Sequence, residues 1–368
     1  MKSTTKIICV LFLCLLFFQS CKLGRFVFYN FANITDYKIF PYRTIETSPT
    51  PFIFPETQQP IQPKDIETAE GDVPFDTYLE QTKTVAFLVI QNDSIQYEKY
   101  FNKYDDESIV ASFSMAKSVV SMLIGIAIED GKIQSVDEPI TNYIPELASN
   151  GFEDVTIKHL LQMTSGIYFN ESYTNPFGHA ATFYYGTNLR KAIHKLKLKD
   201  VPGEKFDYTS GTTQLLGLVL ERALESQTIS SYLEEKIWKP LGMEYEATWS
   251  LDRKKDGLEK TFCCLNARAR DFAKLGRLYL DNGDWNGTQI VPEQWVKEST
   301  KSDTTGHNAP FYQYQWWLTK NAEQFYAKGI LGQYIFVDPH KNLIIVRLGE
   351  KTSKVNWLKL ISQIAHSY

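Results

Sequence analysis

Histidine and cysteine are scarce in this chain of 368 residues: there are 6 His and 5 Cys, with no C-x-x-C or H-x-x-x-H spacing among them. Zinc sites need clustered ligands of those types, so no metal site is expected. A surplus of positive charge is also missing. The 39 Lys and Arg face 43 Asp and Glu, a net charge of −4, which is the wrong sign for a surface that tracks phosphates and argues against nucleic acid as a partner. No apolar run reaches the roughly 20 residues that a membrane-spanning helix needs. The run at 119–128 is interrupted by Ser121 and Gly125 and reads as a buried helix. The G-x-S-x-G elbow of Ser-His-Asp hydrolases is absent too, since neither Ser114 nor Ser165 has the flanking glycines. Wholesale disorder is excluded by 43% apolar and 14% aromatic residues against 22% charged. The length allows about two domains, or one large domain carrying an insertion.

What is present begins with an export signal. Lys2 and Lys6 precede an apolar run at 7–18, and Gln19-Ser20-Cys21 follows, the three-part layout of a secretory leader. Residues 1–20 are expected to be a signal peptide. A Cys directly after a small residue looks like a bacterial lipoprotein cleavage site, with Cys21 as the acylated terminus. That places the mature chain on the bacterial cell envelope, held to the membrane by its lipid and not spanning it. Residues 21–75 then form a lipid-anchored N-terminal segment whose stretch at 47–63, with Pro49, Pro51, Pro55, Pro60 and Pro63, reads as an extended spacer. Cys9 and Cys14 leave with the signal, so only the adjacent Cys263 and Cys264 remain besides Cys21. Neighbouring cysteines rarely bridge each other, and no disulfide framework is implied.

From residue 76 to 368 the pattern is globular. Two β-rich runs at 84–91 and 94–100 flank Asn92-Asp93, a hairpin signal. A mostly buried helix starts near Ser114 and closes at Gly131. Helical stretches follow at 157–162, 189–196, 212–224, 229–238, 269–281 and 292–299, and strands return at 324–327, 333–338 and 343–348 before a closing helix at 354–364. Strands at both ends around a helical middle predict an α/β plus all-α fold: an antiparallel sheet from both chain ends flanked by helices, with a helical insertion at about 135–300.

The strongest chemical signal is Ser114-Met115-Ala116-Lys117. Residues i and i+3 at a helix start share a face, so an amine lies beside a hydroxyl. A buried Lys whose charged form is disfavoured can take the proton of Ser and make it a nucleophile. The helix N-terminus favours negative charge at the same spot. Tyr208-Thr209-Ser210 lies just before the helix at 212–224, where its phenol could relay protons. Gly329-Ile330-Leu331-Gly332-Gln333 leads into a β-rich run, where glycines permit close backbone approach.

In this order, these elements resemble the serine β-lactamase-like and penicillin-binding-protein-like hydrolases of class C type. The likeness spans about residue 84 to the C-terminus. It includes the stretch from Thr156 to Gly166, Pro240-Leu241-Gly242-Met243, the stretch from Ala269 to Gly276, and Gln315-Trp316-Trp317. Phe183-Tyr184-Tyr185-Gly186 and the run from Gly329 to Gln333 look most similar to the 6-aminohexanoate-oligomer hydrolase and esterase branch. The resemblance implies Ser114 as acylated nucleophile, Lys117 as general base and Tyr208 as the tyrosine that protonates the leaving group. Ser210 stands where class C lactamases usually carry Asn, and its role stays open. Ile330-Leu331-Gly332 falls at the third motif, normally Lys-Thr-Gly, so only Gly332 matches. The oxyanion hole is then expected from the backbone N–H groups of Ser114 and Gln333.

The activity so implied is hydrolysis of an ester or amide through an acyl-enzyme, with a small-molecule or peptide-like substrate and no cofactor. Peptide, ester, nylon-type oligomer and cell-wall amide are all compatible with it. The alternatives are a catalytically silent surface lipoprotein that uses the same fold as a binding module, and a penicillin-binding-type peptidase or β-lactamase. Glu171 to Asn175 echoes a deacylation segment of class A lactamases but precedes Tyr208, the wrong order. His159 and His179 are left out of the catalytic set. Arg270 and Asp271 read as a structural ion pair, and Trp316-Trp317 as cleft wall or core.

Overall fold

In the computed structural model, residues 22–368 are described except Asn30, Gly306 and Ala322. The expected signal and Cys21 lie outside the described residues. The elements that position the site are, in chain order, helix α1 (Lys22–Tyr29), strand β1 (Tyr42–Ile45), β2 (Thr84–Gln91), β3 (Ser94–Tyr100), β4 (Val110–Ala111) and helix α2 (Ala116–Glu129). They continue with α3 (His179–Tyr185), α4 (Ser210–Ala223), β5 (Ala247–Ser250), β6 (Leu265–Ala267) and α5 (Ala269–Leu280). The last group is β7 (Tyr312–Gln313), β8 (Trp316–Leu318), β9 (Phe325–Gly329), β10 (Gln333–Asp338), β11 (Leu343–Gly349) and α6 (Trp357–Ala365).

Asn92 and Asp93 take positive φ (50° and 58°), which a two-residue hairpin turn demands, and β2 and β3 pair across them. β2 then lies between β3 and β11 in a seven-stranded antiparallel sheet ordered β7-β8-β9-β10-β11-β2-β3. The two chain ends therefore meet in register, Gln91 opposite Leu343 and Phe87 opposite Arg347. Alternation along β2 feeds two cores. Leu88 and Ile90 join the main cluster, whereas Phe87 and Val89 join a second cluster with Trp357, Ile361 and Phe75. One face is covered by α5, whose Gly276 has no Cβ to press on Ile344 and Ile335, and the other by α6 and the short helix Phe75–Gln81. The antiparallel sheet built from both chain ends and flanked by helices is as the sequence predicts.

The middle is not purely helical. β5 and β6 form a second sheet ordered β1-β5-β6-β4, so β1 from the N-terminal segment pairs with β5, Tyr42 opposite Ser250. The Pro-rich stretch is extended but is no free spacer. Phe52 N–H donates to the Gly242 carbonyl (2.8 Å), Ile95 N–H donates to that of Pro55 (2.8 Å), and Phe54 is buried. Its prolines prevent helix but leave carbonyls and aromatic rings free to pack. A second correction concerns cysteine: Cys263 and Cys264 are bonded to each other, with Cys264 at φ 71°, a conformation in which an adjacent pair can close its ring. Among the described residues no helix is long and apolar enough to cross a membrane.

Candidate active site

β4 runs along β6, and Ser112 N–H donates to the Leu265 carbonyl (2.9 Å). The chain then turns sharply at Phe113 (φ 45°) into a single 3-10 turn, Phe113–Met115, that continues as α2. Ser114 sits in this turn. Lys117, one turn on, is 1% exposed. Its ammonium donates to Ser114 Oγ (3.1 Å), to the Phe262 carbonyl (2.7 Å) and to Ser210 Oγ (3.5 Å). Burial pushes it down to about 8, while the charge of Glu171 acts in the opposite direction. Losing one proton leaves two N–H groups for Phe262 and Ser210 and turns a lone pair toward Ser114. The amine can then take the Ser114 proton.

Tyr208 closes the other side. Burial raises its phenol, the charge of Glu171 adds to this and a hydrogen bond with Ser114 works against it. It is therefore a proton-bearing phenol at neutral pH. Its ring lies against Trp317 (centroids 5.3 Å) and edge-on to Tyr312 (5.8 Å), and Lys117 Nζ is 5.3 Å from its centroid. Trp317 is half-buried and packs on the site tyrosine, whereas Trp316 is fully buried core.

Ser210, the first residue of α4, is buried and is held by a residue that the chain order argues against. Glu171 Oε2 accepts from Ser210 N–H (2.9 Å), and its Oε1 accepts from Ser210 Oγ (2.6 Å) and from the Tyr173 hydroxyl (2.8 Å). Sequence order constrains which family segment Glu171 could match, but not where a loop lies in space. Phe262 was likewise missed, because a backbone carbonyl leaves no side-chain signal.

The run at 329–333 is placed differently from its expected register. Ile330 borders the pocket at Ser114, together with Phe113, while Gly332 and Gln333 do not line it. A Cβ on Gly329 would overlap the Ser112 carbonyl oxygen, so Gly329 is the glycine at the close approach to the Ser114 turn. Gly332 (φ 86°) serves another need: a Cβ there would strike the Arg347 guanidinium, which donates to the Gly332 carbonyl (2.6 Å) and stacks on Trp357 (3.6 Å). The Gln333 side chain is buried, donating to the Gly349 carbonyl (2.7 Å) and accepting from Gly349 N–H (3.0 Å). Of the two glycines, Gly329 thus lies at the Ser112 carbonyl and Gly332 at the Arg347 guanidinium.

The remaining candidates are structural. His159 Nδ1 accepts from Thr156 N–H (3.2 Å) in a capping box, and His179 Nδ1 accepts from Asn170 N–H (3.0 Å). Arg270 and Asp271 do not pair with each other. Arg270 grips Glu98 with two nitrogens (2.8 and 2.7 Å), and Asp271 meets Lys274 (3.3 Å). Among the described residues no group of three His, Cys, Asp or Glu side chains is placed to hold a metal ion.

A serine at a helix start, a buried lysine one turn on and a facing tyrosine, set beside an antiparallel sheet closed by both chain ends, define a β-lactamase-like serine hydrolase. The profile of the family described as Beta-lactamase matches residues 75–358, and the chain belongs to that family. It is 27% identical over 292 residues to a 6-aminohexanoate-dimer hydrolase from Paenarthrobacter ureafaciens, covering 73% of each chain. Among solved structures, a putative 6-aminohexanoate-dimer hydrolase from Bacillus anthracis superimposes with TM-score 0.80 at 24% identity, over 91% of this chain and 92% of that one. A family VIII carboxylesterase shares the fold with TM-score 0.64 at 17% identity, over 80% and 95%.

Proposed function

We propose that the protein hydrolyses an ester or amide through an acyl-enzyme on Ser114, as a lipoprotein anchored at Cys21. Neutral Lys117 takes the Ser114 proton as Oγ attacks the carbonyl carbon. The oxyanion is held by the backbone N–H groups of Ser114 and of Ile330, the residue that follows Gly329. Tyr208 gives a proton to the leaving group and is reprotonated by Lys117. Water, deprotonated through the same pair, then cleaves the acyl-enzyme and restores Ser114. Glu171 and Ser210 keep Lys117 in place. The observation that carries the reading is the 3.1 Å approach of a fully buried Lys117 Nζ to Ser114 Oγ.

Intact-mass analysis after exposure to a fluorophosphonate tests it. The wild-type chain gains one probe at Ser114, and Ser114→Ala gains none and loses turnover. Probe on Ser165 or Ser210 in the Ala variant would overturn the assignment, and an unlabelled, inert wild type would favour a silent binding module. Anchoring has a separate test: Cys21→Ser should abolish detergent-phase partitioning or block processing, and unchanged partitioning would count against the lipid.

A further inference from the structure

Beside Ser114 opens a cavity of about 50 Å³, and none of the residues that line it carries a formal charge. Its walls come from three places. α3 supplies Ala180 and Ala181, whose small side chains leave the space open, and Tyr185 behind them. The stretch after the Lys117 partner Phe262 supplies Cys263. The third wall is Phe26 of α1, edge-on to Tyr185 (centroids 5.7 Å), followed by Phe31 and Ala32. These N-terminal residues precede the stretch matched by the family, which starts at 75. Tyr208, on the leaving-group side of Ser114, is not among the walls.

We infer that this cavity receives the acyl half of the substrate and selects an apolar acyl group over an anionic one, with the N-terminal segment as a specificity wall. The inference rests on Ser114 being the acylated residue. A methylene moved from water into an apolar wall favours binding about fourfold. A carboxylate end in the same place loses its hydration with no cation among the lining residues to replace it, which costs about tenfold to a hundredfold or more. The leaving group lies outside these walls and is not constrained by them.

The test uses the full-length chain and 4-nitrophenyl esters, which share one leaving group: acetate, butyrate, hexanoate, and a hexanoate ending in a carboxylate. The expected kcat/KM rises about fourfold per methylene until the cavity is filled. The carboxylate-ended ester should fall about tenfold to a hundredfold below hexanoate. Two variants probe the walls. Ala181→Trp, which fills the cavity, and Phe31→Ser, on a side chain 55% exposed and so tolerant of change, should each narrow the hexanoate-to-acetate ratio. A flat chain-length series, or a carboxylate-ended ester equal to hexanoate, overturns the acyl assignment. A ratio untouched by Phe31→Ser overturns the N-terminal wall. Failure of the wild type to hydrolyse any of the esters or to take the fluorophosphonate overturns the serine-hydrolase reading instead.

Discussion

An amine taken out of water is easier to discharge than one left in it, and Lys117 is buried at the end of its reach to Ser114. Its charged form is lost as pH rises through about 8, and the neutral form is the base. Activity should therefore climb with pH through that value. Glu171 holds the ammonium up by its negative charge, so Glu171→Gln should move the rising limb of kcat/KM to lower pH. An unmoved limb would mean that Glu171 acts only as the anchor of Ser210. Lys117→Arg keeps a cation but cannot give up its proton, and should cost about a hundredfold to ten-thousandfold in kcat. Tyr208→Phe should harm alkyl amides far more than 4-nitrophenyl esters, whose leaving group needs little protonation. Equal losses on both would argue that Tyr208 shapes the cleft without passing a proton.

Elements with a strong local pattern are legible in the sequence. The hairpin of β2 and β3 was read to the residue from alternating β-formers around Asn92-Asp93, and β10 likewise. α2 was readable because its apolar side chains lie on nearly every face. What failed was what neighbours in space decide. The strand β1 is too short and polar to announce a partner about 200 residues away, and nothing local in the turn at 330–332 shows that Gly332 packs on Arg347. That turn yields a stability prediction. Gly332→Ala meets both a positive φ and the Arg347 guanidinium, so it should lower stability by about 1–3 kcal/mol, seen as a fall in Tm. The Cys263–Cys264 bond sits in the same category of hidden features. Its neighbour Phe262 accepts the Lys117 hydrogen bond, so reduction by a dithiol should lower kcat while circular dichroism stays unchanged. Full activity with both thiols alkylated would show that the bond does not hold the site.

At the scale of the whole molecule, the sheet is closed by the last part of the chain. β2 is flanked by β3 on one side and by β11 on the other, and Ala86 lies opposite Leu348. A chain that stops before Leu343 leaves the buried strand β2 with an unpaired edge, and limited proteolysis should cut it within the N-terminal half under conditions that spare the full chain. β1 has the same dependence on β5. A polypeptide is made and threaded from its N-terminus, at a rate far slower than local helix formation. During that transit the early strands wait for partners not yet made, and the long loops they would have to close slow any premature pairing. For the exported lipoprotein proposed above, the delay is useful. The topology keeps the chain loose until its end is made, and the final strand is the latch that fixes the fold.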